Sequence, residues 1–219
     1  MYEIEPIARI RTDFPTKFGL PRQGCVEELT GLVEFEKKYR DKNAVRGLSM
    51  YSHIWLIWLF SKNLGKGFSA TVRPPKLGGN ERIGVFATRS PFRPNSIGMT
   101  PVKILKIYDR PSILVSGIDM ADNTPIIDIK PYLPYDRIDS IRAPKNGRPL
   151  KVSGEPLQKI PKDKREPLIK LLREDPRPAY QKDGRRYGFF FSGYEIFFTV
   201  EKGELLVLDI FERKDADPK

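Results

Sequence analysis

Short apolar segments, closed off by glycine, proline or charge, recur from the first residues of this chain to about residue 130: YEIEPIARI, GLVEF, HIWLIWLF, IGVFAT, MTPVKILKIY, SILVSGIDM and PIIDIK. An amphipathic helix needs a period of about 3.6 residues sustained over roughly ten or more, whereas a strand needs only alternation over roughly four to eight. The spacing therefore predicts a mainly β fold, either a sandwich or a barrel. In HIWLIWLF both alternating faces are apolar, with His53, Trp55, Ile57 and Leu59 on one and Ile54, Leu56, Trp58 and Phe60 on the other. A strand covered on both sides is expected there.

After residue 133 the text becomes LPYDRIDSIRAPKNGRPLKVSGEPLQKI, rich in Pro, Gly and charge. Such composition predicts a linker, taken as 136–158, between an N-terminal unit at 1–135 and a C-terminal unit at 159–219. In the second unit PKDKREPLIKLLRED predicts a short basic helix stopped by Pro176. YGFFFSGYEIFFTVEKGELLVLDIFE predicts paired strands turning at Lys202 and Gly203, which makes the tail a small α+β domain.

Thirty-nine basic against twenty-eight acidic residues leave a formal charge of +11 and a pI near 9.7, which favours a polyanionic partner, nucleic acid first. Cys25 and His53 are the sole residues of their types. They allow neither an internal disulfide nor a Cys/His zinc site, so no metal is expected and a reducing, cytoplasmic setting fits. The N-terminus lacks a signal-peptide layout, and IWLIWLF is far too short to span a bilayer. GxGxxG, the Walker lysine loop, GxSxG, HExxH and CxxC are all missing. Ser52 and His53 are adjacent, and strand neighbours point to opposite faces, which makes them a poor nucleophile and base. A lone cysteine such as Cys25 is more often a small buried residue than a nucleophile.

Three segments remain that could carry chemistry. RPPKLGGNERIGVFATRSPFRPNSIGM (73–99) holds five basic residues, four prolines, four glycines and one acid. Glycine permits close backbone approach, proline stiffens the path, and Arg73, Lys76, Arg82, Arg89 and Arg93 supply charge, so this is read as an anion-binding loop. GIDMADNTPIIDIKPYLPYD places Asp119, Asp122 and Asp128 among strand ends and a turn, with Asn123 as turn former and with Asp128 and Lys130 two residues apart on one strand face. KFGLPRQG (17–24) is a loop with its own Arg and Gln.

Taken together, LPRQG, AVRGL with HIWLIW, TVRPPKLGGN with GVFATRSPFRPNSIGM, DNTPIIDIKPYLP and EDPRPAY resemble the TrmO or YaeB family of tRNA N6-methyltransferases, which act on threonylcarbamoyl-adenosine beside the anticodon. The resemblance implies a single-sheet, closed or nearly closed β-barrel that uses S-adenosylmethionine, a small C-terminal domain that aids tRNA binding, and a homodimer. It implies a cofactor pocket of Pro21, Arg22, Gln23, Ser52, His53, Arg89, Met99, Asp119, Met120, Ala121, Asp122 and Thr124. Asn123 stands where the family often has glycine, and Ser96 where it often has proline. Asparagine tolerates a left-handed turn, and the serine costs only rigidity.

The mechanism expected from this resemblance is direct in-line methyl transfer from the sulfonium to N6, catalysed mainly by positioning the reactants. N6 of the modified base is part of a urea-like group and needs to lose a proton, for which Asp128 and Tyr132 are the candidate bases. Lys130, Arg73 or Arg93 could recognise the threonyl carboxylate. Arg73, Lys76, Arg93, Arg177 and Tyr180 are expected to contact tRNA, the last two from the basic tail. The rivals are a non-catalytic RNA-binding or regulatory barrel, which cofactor binding would exclude, and a methyltransferase with a different acceptor.

Overall fold

The computed structural model describes residues 3–21, 26–74, 81–141, 149–177 and 183–213. Its strands are β1 (Ala8–Thr12), β2 (Thr30–Phe35), β3 (His53–Leu59), β4 (Thr71–Val72), β5 (Ile83–Gly84), β6 (Ile97–Ile107), β7 (Ser112–Ser116), β8 (Thr124–Pro131), β9 (Lys151–Ser153), β10 (Tyr187–Phe191), β11 (Tyr194–Glu201) and β12 (Glu204–Glu212). One α-helix, α1 (Lys162–Arg173), is found among the described residues.

Strands β1-β2-β7-β6-β3-β8 form one closed barrel with every neighbouring pair antiparallel. Closure decides between the sandwich and the barrel that the spacing allowed. Its interior is filled by Ile10, Val33, Ile54, Leu56, Val102, Ile113, Val115 and Ile126, all buried. Each such side chain contributes about 1.5–3 kcal/mol relative to exposure.

Along β3 the alternation is strict, and His53, Trp55, Ile57 and Leu59 are only half-buried. The cover expected on both faces of this strand is thus incomplete on one. There the ring of Tyr132 packs 5.3 Å from that of Trp55, but Met99 on the neighbouring strand is left 49% exposed.

IGVFAT is not a strand throughout. After Ile83–Gly84 the chain enters a short 3-10 turn, Val85–Ala87, in which Val85 is buried. The Val85 carbonyl, which a longer strand would have used in its ladder, accepts from Thr88 Oγ1 (2.8 Å) and Arg93 Nη1 (3.1 Å) instead. This turn lies in the connection between β3 and β6, which is bound to itself: Phe60 N–H donates to Ser96 O (2.8 Å), Ser69 N–H to Phe92 O (3.1 Å) and Val85 N–H to Ala70 O (2.9 Å).

In the tail a second sheet runs β10-β11-β12-β9, with β9 parallel to β12. Both hairpins turn on two left-handed residues, Ser192–Gly193 and the expected Lys202–Gly203, which is the backbone of a type I′ turn. Helix α1 buries Pro167, Leu168, Leu171 and Leu172, and left-handed Asp175 follows its C-cap Glu174, just before Pro176. The stretch 136–158 is not linker to its end, because β9 and the 3-10 turn Glu155–Lys159 already belong to this unit. Composition hid so short a strand: its pairing with β12 lies more than fifty residues away in sequence.

The tail seats on the loop between β1 and β2. Phe14 meets Phe191 (5.5 Å between ring centres), Phe18 meets Phe189 edge-on (6.4 Å), and Ser192 N–H donates to Asp13 O (3.0 Å). Lys164 pairs with Asp13 (2.5 Å) and Lys170 with Glu28. No described helix is long and apolar enough to cross a membrane.

Candidate active site

Asp119, in the segment that follows β7, lies across from Arg89 of the β3–β6 connection. Thr100 Oγ1, buried on β6, donates to Asp119 Oδ1 at 2.7 Å and in turn accepts from Trp58 Nε1 at 3.1 Å. Gly98 makes this chain possible, since a Cβ there would lie 2.5 Å from the Trp58 ring. Burial pushes the Asp119 carboxyl up to about 6, against the opposing pull of the Thr100 hydrogen bond and the Arg89 charge. Arg89 itself is exposed and, among the described residues, in no salt bridge. An exposed cation beside an acid held in a poorly solvated place is a donor set for a zwitterion, and the α-amino and carboxylate end of S-adenosylmethionine is one.

The next residues form a buried turn under β1. Met120 and Ala121 are buried, Thr12 Oγ1 donates to Met120 O (3.2 Å), and Thr124 Oγ1 donates to Ala121 O (2.7 Å). Asp122 Oδ1 accepts from Thr12 N–H (3.0 Å), and Asn123 takes the left-handed conformation with φ 61°. These side chains hold the turn that presents Asp119. Pro21 is buried in the β1–β2 loop. Arg22, Gln23, Lys76 and Tyr180 lie outside the described residues.

A second group shares the outer face of the barrel. Backbone pairing sets Met99, Ile57 and Asp128 in one row and Pro101, Trp55 and Lys130 in the next; His53 and Tyr132 follow, joined by Tyr132 N–H to His53 O at 3.0 Å. Asp128 and Lys130 do pair, at 2.9 Å, but in solvent, with side chains 45% and 61% exposed. They are therefore not the buried pair their spacing suggested. Asp128 and Tyr132 lie four strand residues apart, about 13 Å. One substrate atom cannot use both as its base.

Ser52 and His53 differ from the expectation too. Ser52 precedes β3, so strand alternation does not govern it, and its Oγ lies 2.8 Å from His53 Nδ1. Trp55 Nε1 donates to Asp136 Oδ2 (3.0 Å), which adds an acid to this rim that the sequence pattern did not single out.

Arg177 is engaged within the tail. Its Nε and Nη2 donate to Asp175 (both 2.9 Å) and its Nη1 to Asp183 (3.0 Å), leaving the side chain 11% exposed. Those bonds raise its basicity further. Arg93 spends Nη1 on the carbonyls of Val85 and Thr88 and sets its guanidinium 5.5 Å from the Phe86 ring. Arg73 is exposed and in no salt bridge among the described residues. Sequence reasoning does not reach Thr100, Trp58 and Phe86 as site residues. Of these, Phe86 carried a signal, a lone aromatic inside a run of arginines. Elsewhere, an open groove of about 380 Å³ lined by Glu34, Arg40, Tyr108 and Arg110 lies on the β2–β7 face, away from all these groups.

Known proteins match this arrangement along nearly its whole length. Residues 9–139 fit the family described as tRNA-methyltransferase O N-terminal domain, and residues 151–213 fit the TrmO C-terminal domain. Among solved structures, one titled crystal structure of TrmO is 32% identical with a TM-score of 0.75, covering 96% of this chain and 99% of its own. Another, of TrmO from Pseudomonas aeruginosa, is 29% identical with a TM-score of 0.76 over 96% of this chain and 98% of its own. Fold and site thus define a two-part protein, a single-sheet methyltransferase-type barrel carrying a C-terminal α+β unit. The tRNA (adenine(37)-N6)-methyltransferase of Escherichia coli K12 is 37% identical over 219 residues, 91% of this chain and 93% of that one. This chain belongs to the TrmO family.

Proposed function

We propose that the protein is an S-adenosylmethionine-dependent tRNA methyltransferase that methylates N6 of adenosine 37, with the threonylcarbamoyl form of that base as its acceptor. The observation that carries this reading is buried Asp119, held by Thr100 and Trp58, with exposed Arg89 near enough for its charge to pull on the carboxyl. Arg89 holds the carboxylate of the cofactor's amino-acid end and Asp119 its ammonium, with Thr100 and Trp58 fixing the acid. Bound there, the cofactor supplies a methyl group on a positively charged sulfur. In this reading the turn from Met120 to Thr124 and buried Pro21 wall the pocket, with His53, Ser52 and Met99 at its outer edge.

The chain's own task is to align the acceptor and take its proton. Asp128 is the better-placed base of the two candidates. It stands in the outer-face row of Ile57 and Met99, paired with Lys130, whereas Tyr132 belongs to the row of His53 and packs on Trp55. Lys130, beside it, offers a cation to the threonyl carboxylate.

The half-exposed apolar residues Trp55, Ile57 and Met99 support a homodimer through this outer face, and the single cysteine supports a cytoplasmic setting.

Calorimetry with S-adenosylmethionine, followed by mass spectrometry of tRNA incubated with the protein, tests the reading. Binding should weaken about 10- to 150-fold in Arg89→Ala, the loss of one charge-assisted bond of about 1.5–3 kcal/mol. It should also weaken as pH falls below about 6, where Asp119 takes up a proton. An unchanged dissociation constant in the variant rejects the assignment, and tRNA that gains no methyl group from the wild type rejects the activity.

A further inference from the structure

Phe86 is 71% exposed and Phe68 55% exposed, and their rings lie 6.5 Å apart, inclined by only 28°. Neither belongs to the hydrophobic core. Both nevertheless stand next to fixed backbone, since Ser69 and Val85 make the hydrogen bonds that close the β3–β6 connection on itself. Two phenyl rings this exposed bury little area for the fold, Phe86 having Arg93 5.5 Å from its centre, and exposed apolar groups of this kind mark a binding surface.

Their surroundings choose the occupant. Residues 61–99 carry seven basic side chains and one acid. Among the described residues Lys62, Lys66, Arg73, Arg82, Arg89 and Arg93 make no salt bridge. Lys17 is drawn into the same group, its Nζ donating to Lys62 O (2.7 Å), and burial together with Lys66 and Lys62 lowers its pKa. An apolar protein partner would leave this positive charge uncompensated. A planar heterocycle on a phosphate backbone satisfies both features.

We propose that Phe86, with Phe68 beside it, is a stacking ledge for an unpaired base of the RNA, and that Lys62, Lys66 and Arg73 hold the adjoining phosphates. The inference rests on the tRNA reading above and adds the element that keeps the loop splayed next to the methylated base. Phe86 precedes Arg89 by three residues, so their Cα atoms are at most about 11 Å apart. A base on the ledge is therefore close to the cofactor end that Arg89 holds.

The test uses the full chain, a tRNA anticodon stem-loop, and a blunt RNA duplex with the same number of phosphates. Replacing both rings, Phe68→Ala with Phe86→Ala, should weaken stem-loop binding at least about fivefold while leaving duplex binding and the salt dependence unchanged. Phe86→Tyr alone should keep wild-type affinity, and because both rings are exposed the melting temperature should not move. If both RNAs weaken equally, or neither does while the wild type binds and methylates tRNA, the ledge is wrong and the methyltransferase reading stands. If the double variant instead changes the oligomeric state with RNA affinity intact, the rings are a protein interface and the proposal is overturned. A wild type that neither binds nor methylates tRNA removes both readings.

Discussion

Basic residues are abundant in the β3–β6 connection and in the C-terminal unit, but they are used differently. In the tail Lys151, Lys159, Lys164, Lys170, Arg177 and Arg213 each meet a carboxylate. Two of those pairs, Lys164 with Asp13 and Lys170 with Glu28, fasten the tail to the barrel. The connection has no such pairs among its described residues. A count of charges assigns RNA binding to both regions, or to the tail first. The structure separates charge spent on internal pairing from charge left for a ligand: among the described residues all six cations of the connection lack a carboxylate partner, against six of the twelve in the tail.

The same contrast appears in the acids. Hydrogen bonds from Lys170, Arg177 and Lys159 lower the carboxyls of Glu28, Asp183 and Asp209, whereas burial raises Asp119. Lowered groups contribute stability above their unfolded pKa and lose it as pH falls through the folded value. Asp119 behaves oppositely: its contribution is complete below the unfolded value of 3.8 and is lost as pH rises through about 6.

The largest expected effect comes from breaking the seat of the tail. Gly19 has φ +90°, and a Cβ there would lie 2.1 Å from Cδ2 of Phe189. Gly19→Ala should cost about 3 kcal/mol or more from backbone strain and overpacking together, read as a lower urea midpoint. It should also make the tail the first segment cut by protease, and an unchanged midpoint would show that the tail does not depend on this packing. A deletion from about residue 152 would strip Phe14 and Phe18 of their partners, so it cannot be treated as removal of an independent tRNA module.

A smaller effect, of opposite sign, sharpens the acid comparison. Asp119→Asn keeps an oxygen for Thr100 and removes the charge that burial disfavours. Its melting temperature should exceed the wild type above about pH 6, by no more than about 3 kcal/mol in stability, and equal it below about pH 4. Cofactor binding should be lost over the same upper range. A variant less stable than the wild type at neutral pH would show that the carboxylate stabilises the fold.

The barrel was legible because alternation is a local signal, and GLVEF, SILVSGIDM and PIIDIK need no distant information to be read as strands. What covers each face is not local. The outer side of β3 looks core-like in HIWLIWLF but is only half-buried, since no described segment crosses it completely. IGVFAT fails as a strand because the arginine that claims the Val85 carbonyl, Arg93, lies eight residues on. Lys164 and Asp13, separated by 151 residues, leave no periodic trace at all. The charge of Arg177 is paired within the tail by Asp175 and Asp183, two and six residues away, partners close enough in sequence to have been read there. The candidate site was visible as motifs, and the side chains that aim it, Thr100 and Trp58, emerge only once β3 and β6 are paired.

The division of charge between the two regions is measured most directly by the salt dependence of tRNA affinity. Two triple variants are compared with the wild type: Lys62→Ala, Lys66→Ala and Arg73→Ala in the connection, and Lys159→Ala, Lys164→Ala and Lys170→Ala in the tail. Each phosphate that the protein neutralises adds about one unit to the slope of log affinity against log salt. The connection variant should lower that slope by about two to three units with its melting temperature intact, whereas the tail variant should melt earlier and keep the wild-type slope. A tail variant with a reduced slope beside a connection variant that keeps the wild-type value would contradict the account.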